Sequence, residues 1–490
     1  MAAGRSEEAF DVVVVGGGGA GLAAAIEARA AGASVVLLEK NDKLGGSTAW
    51  SIGSITSTGT PHQMRHGIAD SPADHWADMP GFAGELAPRD NAELRRILCD
   101  EIPATFRWLL DSGICFTGPM PEPPHRQPRM HNVLPNSHSF IYHLERRARR
   151  AGVDVRTGER VSGFEIDAGK VVGVKAGNNR YKANATILAS GDFTNAPELK
   201  ARFMGPQEAK VEGVNLTATG DGQRMAEALG ARILNGDLAL GPELRFIAPE
   251  KETLVRRLPP WRALAFLMEW AMSHVPAAIL RPFLMQFLTT ALAPSPALLE
   301  AGALLVNRRG ERFGDELERP AWRVPEQPGR VAYIILDQAL AARFSAWPDF
   351  VSTAPGVAYA YIPDYRRNRP DVYTQAASLK ALAERLGMQP AALEESVHAS
   401  QRRKFTTGPF VALGPVRSVF VHAEGGLAVD TRHRVLAADD RPIAGLYAAG
   451  ATGQGGLLLK GHGHHLAWAF VSGRRAGRFA ATLKEGAETK

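Results

Sequence analysis

The sequence predicts an α/β protein built in two domains. Three observations predict it. A continuous β-branched run, Val12–Val15, meets a glycine-rich turn at residues 16–21 and then an alanine-rich stretch, which is the order strand, turn, helix of a buried parallel sheet. A short strand-and-turn pattern follows at residues 158–183. The length, 490 residues, exceeds what one compact core organises.

Composition narrows the class. Hydrophobic residues at 45% and charged residues at 22% are globular values and exclude long disorder. The formal charge of +6 is spread along the chain, and the densest basic run, Glu145–Arg150, reads as the solvated face of a helix ending at Gly152. No nucleic-acid partner is expected. Two cysteines, Cys99 and Cys115, form no CxxC pair, which excludes a zinc ribbon, an iron–sulfur cluster and a haem attachment motif. They suit a reducing, cytoplasmic setting. The first ten residues hold no apolar signal core, so secretion is not expected. The apolar uncharged run Pro282–Leu299 is broken at Pro294 and Pro296 and is too short to span a bilayer.

The strongest motif lies in FDVVVVGGGGAGLAAAIEARAAGASVVLLEK, Phe10 to Lys40. Gly16, Gly18, Ala20 and Gly21 fall in a G-x-G-x-x-G pattern. Gly16 permits the tight turn, Gly18 lets the backbone approach a pyrophosphate, and Gly21 lets helix and strand pack closely. The helix, expected to about Ala31, points its N-terminus at the phosphates, and Gly32 stops it. A second strand, Ser34–Leu38, leads to Glu39, an acid at the spacing that accepts hydrogen bonds from a ribose. The motif specifies a Rossmann-like dinucleotide site without choosing between NAD and FAD.

The next stretch, EKNDKLGGSTAWSIGS at Glu39–Ser54, resembles the flavin loop of the fumarate reductase and succinate dehydrogenase flavoprotein family, which also holds the 3-ketosteroid dehydrogenases. The resemblance implies that Lys40, Gly45, Gly46, Ser47, Thr48 and Gly53 lie along FAD. Respiratory members attach FAD through a histidine here. This chain has Ser47, so non-covalent FAD is expected. TILASGDFTNAPEL at Thr186–Leu199 resembles the family's returning strand and turn, which places Ala189, Ser190 and Gly191 at the cofactor. TATGDGQRMAEALGA at Thr217–Ala231 resembles its T-G-D-G segment and adds Asp221. The β-meander at 158–183 puts Val161 where the family's backbone meets the adenine. HAEGGLAVDTRHRVL and PIAGLYAAGATGQGG resemble the segments lining the flavin, with Gly450 and Gly456.

The resemblance also sets the domains: an FAD-binding domain at 1–242 and 421–490, parallel sheet plus meander, with an α+β capping domain inserted at 243–420. ALLVNRRGERFGDE, Ala303–Glu316, resembles the cap's hairpin. Residues 376–403 read as two helices, the first capped by Ser378 and the second started by Pro390.

In the family's fumarate reductases two histidines and an arginine hold a dicarboxylate, and a second arginine delivers a proton. His422 matches one histidine. The segment LALGPEL at 238–244 offers no second one, and the substrate arginine falls on Lys460. The proton-delivering arginine falls near Pro320, and its relay partners fall on Pro296 and Leu299. A dismantled dicarboxylate site suits a monocarboxylate or a carbonyl. The cap tyrosines Tyr359, Tyr361 and Tyr365 supply candidate proton-transfer groups, of which Tyr361 is taken with His422 and Lys460 as the catalytic set. His462, His464 and His465 share no helical face, so no metal is expected.

The apolar segment at 262–288 reads either as a helical pair buried in the cap or as a lip that admits a hydrophobic substrate and touches a membrane surface. The expected function is FAD-dependent hydride transfer at a carbon–carbon bond α,β to a carbonyl, as desaturation of a cyclic or steroid-like ketone. The alternative is a fumarate-reductase-like enoate reductase. Electrons would leave to a separate acceptor.

Overall fold

The structure, a computed structural model, describes residues 6–249, 254–276, 279–281, 285–286, 289, 292–354, 358–400, 404–405 and 407–482. Strand β1 (Glu7–Val15), helix α1 (Gly19–Ala30) and strand β2 (Val35–Glu39) form the expected opening unit. Strands β3 (Cys115–Met120) and β4 (Met130–Leu134) pair antiparallel, with Ser54–Thr56 on the other side of β4. Helix α2 (His138–Arg150) leads to β5 (Asp154–Thr157). The meander follows as β6 (Val161–Asp167), β7 (Lys170–Ala176) and β8 (Asn179–Leu188). Helix α3 (Arg262–His274) comes next, then strands β9 (Leu304–Asn307), β10 (Ala332–Leu336) and β11 (Phe410–Phe420). Strand β12 (Pro442–Ala448) and helix α4 (His464–Ala480) close the chain.

The parallel core of the main sheet runs β12, β8, β1, β2, β5, with the meander hung from β8. Val12–Val15 pair with Val35–Leu38 on one side and Ala185–Leu188 on the other. That double pairing explains the unbroken valine run, since both of its faces are buried. β12 adds to β8 in parallel, so the end of the chain completes the sheet begun by its start. Helix α4 lies on α1 at backbone contact. A Cβ at Gly473 would stand 2.3 Å from the Ala20 carbonyl oxygen, and one at Gly477 would stand 2.2 Å from that of Ala24.

A second sheet carries β9, β10 and β11 antiparallel, with Glu243–Phe246 and Tyr373–Ala376 also on β11. It is the sheet of the capping domain. Helices at Leu379–Leu386 and Pro390–His398 cover it, and the Ser378 hydroxyl caps the first by accepting from the Ala381 N–H. The hairpin expected at Ala303–Glu316 is reduced. β9 pairs with β10 instead, and only a single bridge, Val306 to Arg312, links the two arms. Glu316, buried at 3% exposure, takes the place of further pairing on that edge: its carboxylate accepts both Arg312 and the Leu305 N–H. Helix α3 also departs from the expected pair within the cap. It packs Ala265, Met268 and Met272 on Cys115 and Leu134 of the β3–β4 sheet. Residues 277–278, 282–284 and 287–288 of that apolar segment lie outside the described residues.

Candidate active site

Parallel strands β1, β2, β8 and β12 all end at one edge, and a cleft opens beyond their carboxyl ends, where α/β sheets bind nucleotides. Of the residues singled out in the sequence, Gly16, Gly18, Ala20, Glu39, Lys40, Gly46, Ser47, Thr48, Val161, Ala189, Ser190, Gly191, Asp221, Gly450 and His422 line it. Gly21, Gly45, Gly53 and Gly456 stand behind the wall. Gly21 has no room for a side chain, since a Cβ would lie 1.9 Å from the Gly16 carbonyl oxygen. Gly45 forms a bridge with Gly18, and Gly53 packs on Val133. The Gly456 carbonyl accepts from Asn91 and Asn235.

The donor set fits a dinucleotide. A Cβ at Gly18 would meet nothing nearer than 3.8 Å, so this face of the turn is open to a phosphate. Thr48 fixes the turn by accepting from the Gly19 N–H at 3.1 Å. The Glu39 carboxylate accepts from the Gly17 N–H at 2.7 Å through Oε2 and from the Asn41 N–H and side-chain amide through Oε1, which locks turn and acid together; Oε2 keeps a lone pair for a ribose. Lys40 bonds Thr219 at 2.6 Å and Asp221 at 3.1 Å across the cleft. Burial works to raise the Asp221 carboxyl, but Lys40, with Thr219 and Arg160, outweighs it and holds the group below the usual carboxylate range.

At the far end of the cleft, β11 runs out of the second sheet and delivers His422. Two residues on lies Glu424, fully buried, a residue that the sequence reading passed over. One of its oxygens accepts from Gln454 Nε2 at 2.5 Å and from the Leu459 N–H at 3.2 Å. The other faces His422 Nε2 at 3.5 Å, His465 Nε2 at 3.7 Å and Lys460 Nζ at 4.0 Å. Burial works to raise this carboxyl too. His465 and His422 overcome it and hold Glu424 well below the usual range, so it is ionised. Burial and the neighbouring His465 push His422 down, against the pull of Glu424. His465 lines the cleft beside His422, their ring centroids 3.6 Å apart. Asp192, also at the wall, is raised by burial although it accepts from the Thr194 N–H and hydroxyl.

Lys460, 22% exposed, stands behind His422 and His465 and reaches the cleft through the carboxylate they share. Tyr361 is set apart. It is the N-cap of the helix Ile362–Asn368, its ring lies against Arg281, and it is not among the cleft-lining residues. His462 turns outward to Glu122, an ion pair at 2.5 Å that raises its pKa.

Histidine 464 joins a second group with His75 and His125, all buried, their ligand atoms within 4.8 Å of one another. Hydrogen bonds set the tautomers. His464 Nδ1 donates to the Lys460 carbonyl at 2.5 Å, and Arg129 donates to His125 Nδ1 at 2.8 Å. His125 Nε2 therefore carries its proton and offers no lone pair to a metal ion. The trio packs as a buttress under the Lys460–His465 turn: His75 Nε2 bonds His464 Nε2 at 3.3 Å, and the His125 ring meets both of the others edge-on.

Comparison with known proteins agrees with this geometry. The FAD binding domain family matches residues 11–257 and 268–458. An NADH:fumarate oxidoreductase of Klebsiella pneumoniae (strain 342) is 26% identical over 474 residues, covering 90% of this chain and 44% of that protein. The chain thus spans less than half the length of this relative. The open conformation of a flavocytochrome c3 fumarate reductase is similar with a TM-score of 0.71 and 25% identity, over 97% of this chain and 78% of that one. The 3-ketosteroid-Δ4-(5α)-dehydrogenase of Rhodococcus jostii RHA1 shares the fold with a TM-score of 0.59 and 24% identity, over 97% of each chain.

Proposed function

The chain belongs to the FAD binding domain family, and on that premise we propose that it desaturates a cyclic or steroid-like ketone at the carbon–carbon bond α,β to the carbonyl. The observation that carries this reading is Glu424. A site for a dicarboxylate needs an excess of positive charge. Here an ionised, fully buried carboxylate sits among the nitrogens that would supply it. A second carboxylate at the cleft wall is repelled by that charge, and Lys460, already matched by Glu424, leaves no surplus cation to offset the penalty. An uncharged carbonyl meets no such penalty.

FAD, when bound, supplies hydride transfer at its ring. The chain's own residues do the rest. His422 and His465 present imidazoles at the cleft wall, and Glu424 behind them orients both and stabilises either as a cation, the arrangement of a proton donor and acceptor for the α-carbon. Lys460 acts from behind them, setting a positive charge 4.0 Å from the Glu424 carboxylate. The N-terminus of α4, beginning at His464, adds its dipole to the same end of the cleft. Electrons pass to a separate acceptor. With no nucleophile at Ser47 suited to flavin attachment, the cofactor is held without a covalent bond.

A second reading, an enoate reductase acting on an unsaturated acid other than fumarate, is favoured by His422, which the sequence resemblance matches to a substrate histidine of the fumarate reductases, and by the names of the relatives. Anaerobic titration of the yellow holoprotein separates the two. Ketone desaturation bleaches the oxidised flavin band on addition of saturated cyclic ketones. An enoate reductase leaves that band intact and, once chemically reduced, is reoxidised by unsaturated acids.

A further inference from the structure

The geometry points to a docking face centred on helix α3, and its occupant is the surface of an anionic phospholipid bilayer. The helix, RALAFLMEWAMSH, is apolar on nearly every side, yet among the described residues it packs on Cys115 and Leu134 along one side. The other presents Phe266, Leu267 and Trp270 at 52%, 58% and 55% exposure, with Trp261 at the N-cap 61% exposed. Large rings left open at helical spacing are a contact surface rather than scattered exposure. A further exposed ring with an arginine stands at Trp50. Arg256 reaches over Trp50, itself 54% exposed, and bonds the Ala49 carbonyl.

Charge selects the occupant. Arg262 lies 5.6 Å from the Phe266 ring, and Arg65 contacts the helix at Glu269. The acid within the helix, Glu269, is answered by Arg65 at 3.4 Å. Aromatic rings ringed by arginines match the interfacial zone of a membrane bearing negative headgroups, where rings sit at headgroup depth and guanidiniums meet phosphates. None of the described helices is long and apolar enough to cross a membrane, so the contact is peripheral. Trp50 is both exposed and part of the cleft wall. Docking therefore sets the cleft mouth at the lipid surface, where an apolar ketone partitions; that last consequence rests on the proposed function, and the docking does not.

Flotation of the holoprotein with vesicles tests it without reading activity. One set is phosphatidylcholine alone, and the other is phosphatidylcholine and phosphatidylglycerol in equal parts. The protein is expected to float with the anionic set, to lose binding in high salt, and to bind about tenfold more weakly as Phe266→Ser/Trp270→Ser or as Arg262→Glu. Flavin content and melting midpoint of each variant confirm folding. Quenching of wild-type tryptophan emission by brominated anionic lipid supports the same face with no substitution. Absence of flotation with both sets overturns the proposal, as does equal binding to the neutral set. A concentration-dependent dimer in light scattering that Phe266→Ser/Trp270→Ser dissolves also overturns it, giving the face to a second copy of the chain.

Discussion

Glu424 concentrates the chemistry of the site in one side chain. Glu424→Gln removes the charge that orients His422 and His465 and leaves an amide among nitrogens that require an acceptor. Flavin reduction by a ketone is expected to slow on the order of 100-fold. The same change is expected to tighten binding of a carboxylate competitor, read from perturbation of the flavin spectrum, since the repelling charge is gone. Slower reduction without tighter carboxylate binding would contradict the charge argument. The residue was legible in outline. His422 and Glu424 sit two apart on extended backbone and so share a side. What the sequence alone lacked was His465 and Lys460 arriving from the other end of the domain to meet them. Tyr361 was named because tyrosine suits the chemistry, but its place is fixed by Arg281 and a helix start, away from the cleft wall.

The opening strand–turn–helix unit was almost wholly legible, because its signals are local: a β-branched run, a glycine turn, an acid after the next strand. Its glycines separate two tasks. Gly18→Ala has room for its methyl and is expected to fold with an unchanged melting midpoint but to lose FAD, measured as the flavin-to-protein absorbance ratio. Gly21→Ala meets the Gly16 carbonyl at 1.9 Å and is expected to lose roughly 1–3 kcal/mol of stability as well. An equal midpoint for both variants would contradict this division. Helix α3 and the strand β9 were less legible. An apolar helix has the same composition whether one side or both are covered, and β9 pairs in full with the distant β10 while its sequence neighbour keeps a single bridge. Such choices are made by partners far along the chain.

At the scale of the whole molecule, the sheet is completed only when β12 and α4 return to β8 and α1, so cleft and fold share long-range contacts. Buried histidines tie that fold to pH. Burial lowers His464 from 6.5 to about 4, and His131 and His433 to about 3. The unfolded chain binds protons at these sites near pH 6.5 while the folded chain does not, so stability is full above pH 6.5 and falls as pH drops toward the folded values. Each histidine contributes a slope of about 1.4 kcal/mol per pH unit in that window. The urea midpoint is expected to fall steadily from pH 6.5 to about 4 and to fall less steeply in His433→Phe. A midpoint that is flat across this range would contradict the burial assigned to them.

The central claim is that this cleft oxidises an uncharged ketone, and the most direct measurement is anaerobic stopped-flow absorbance of the holoprotein mixed with saturated cyclic and steroid ketones. Bleaching of the oxidised flavin band, saturating with ketone and slowed in Glu424→Gln, is the predicted result. An unbleached band with every ketone, together with rapid reoxidation of the reduced protein by fumarate, would contradict the account.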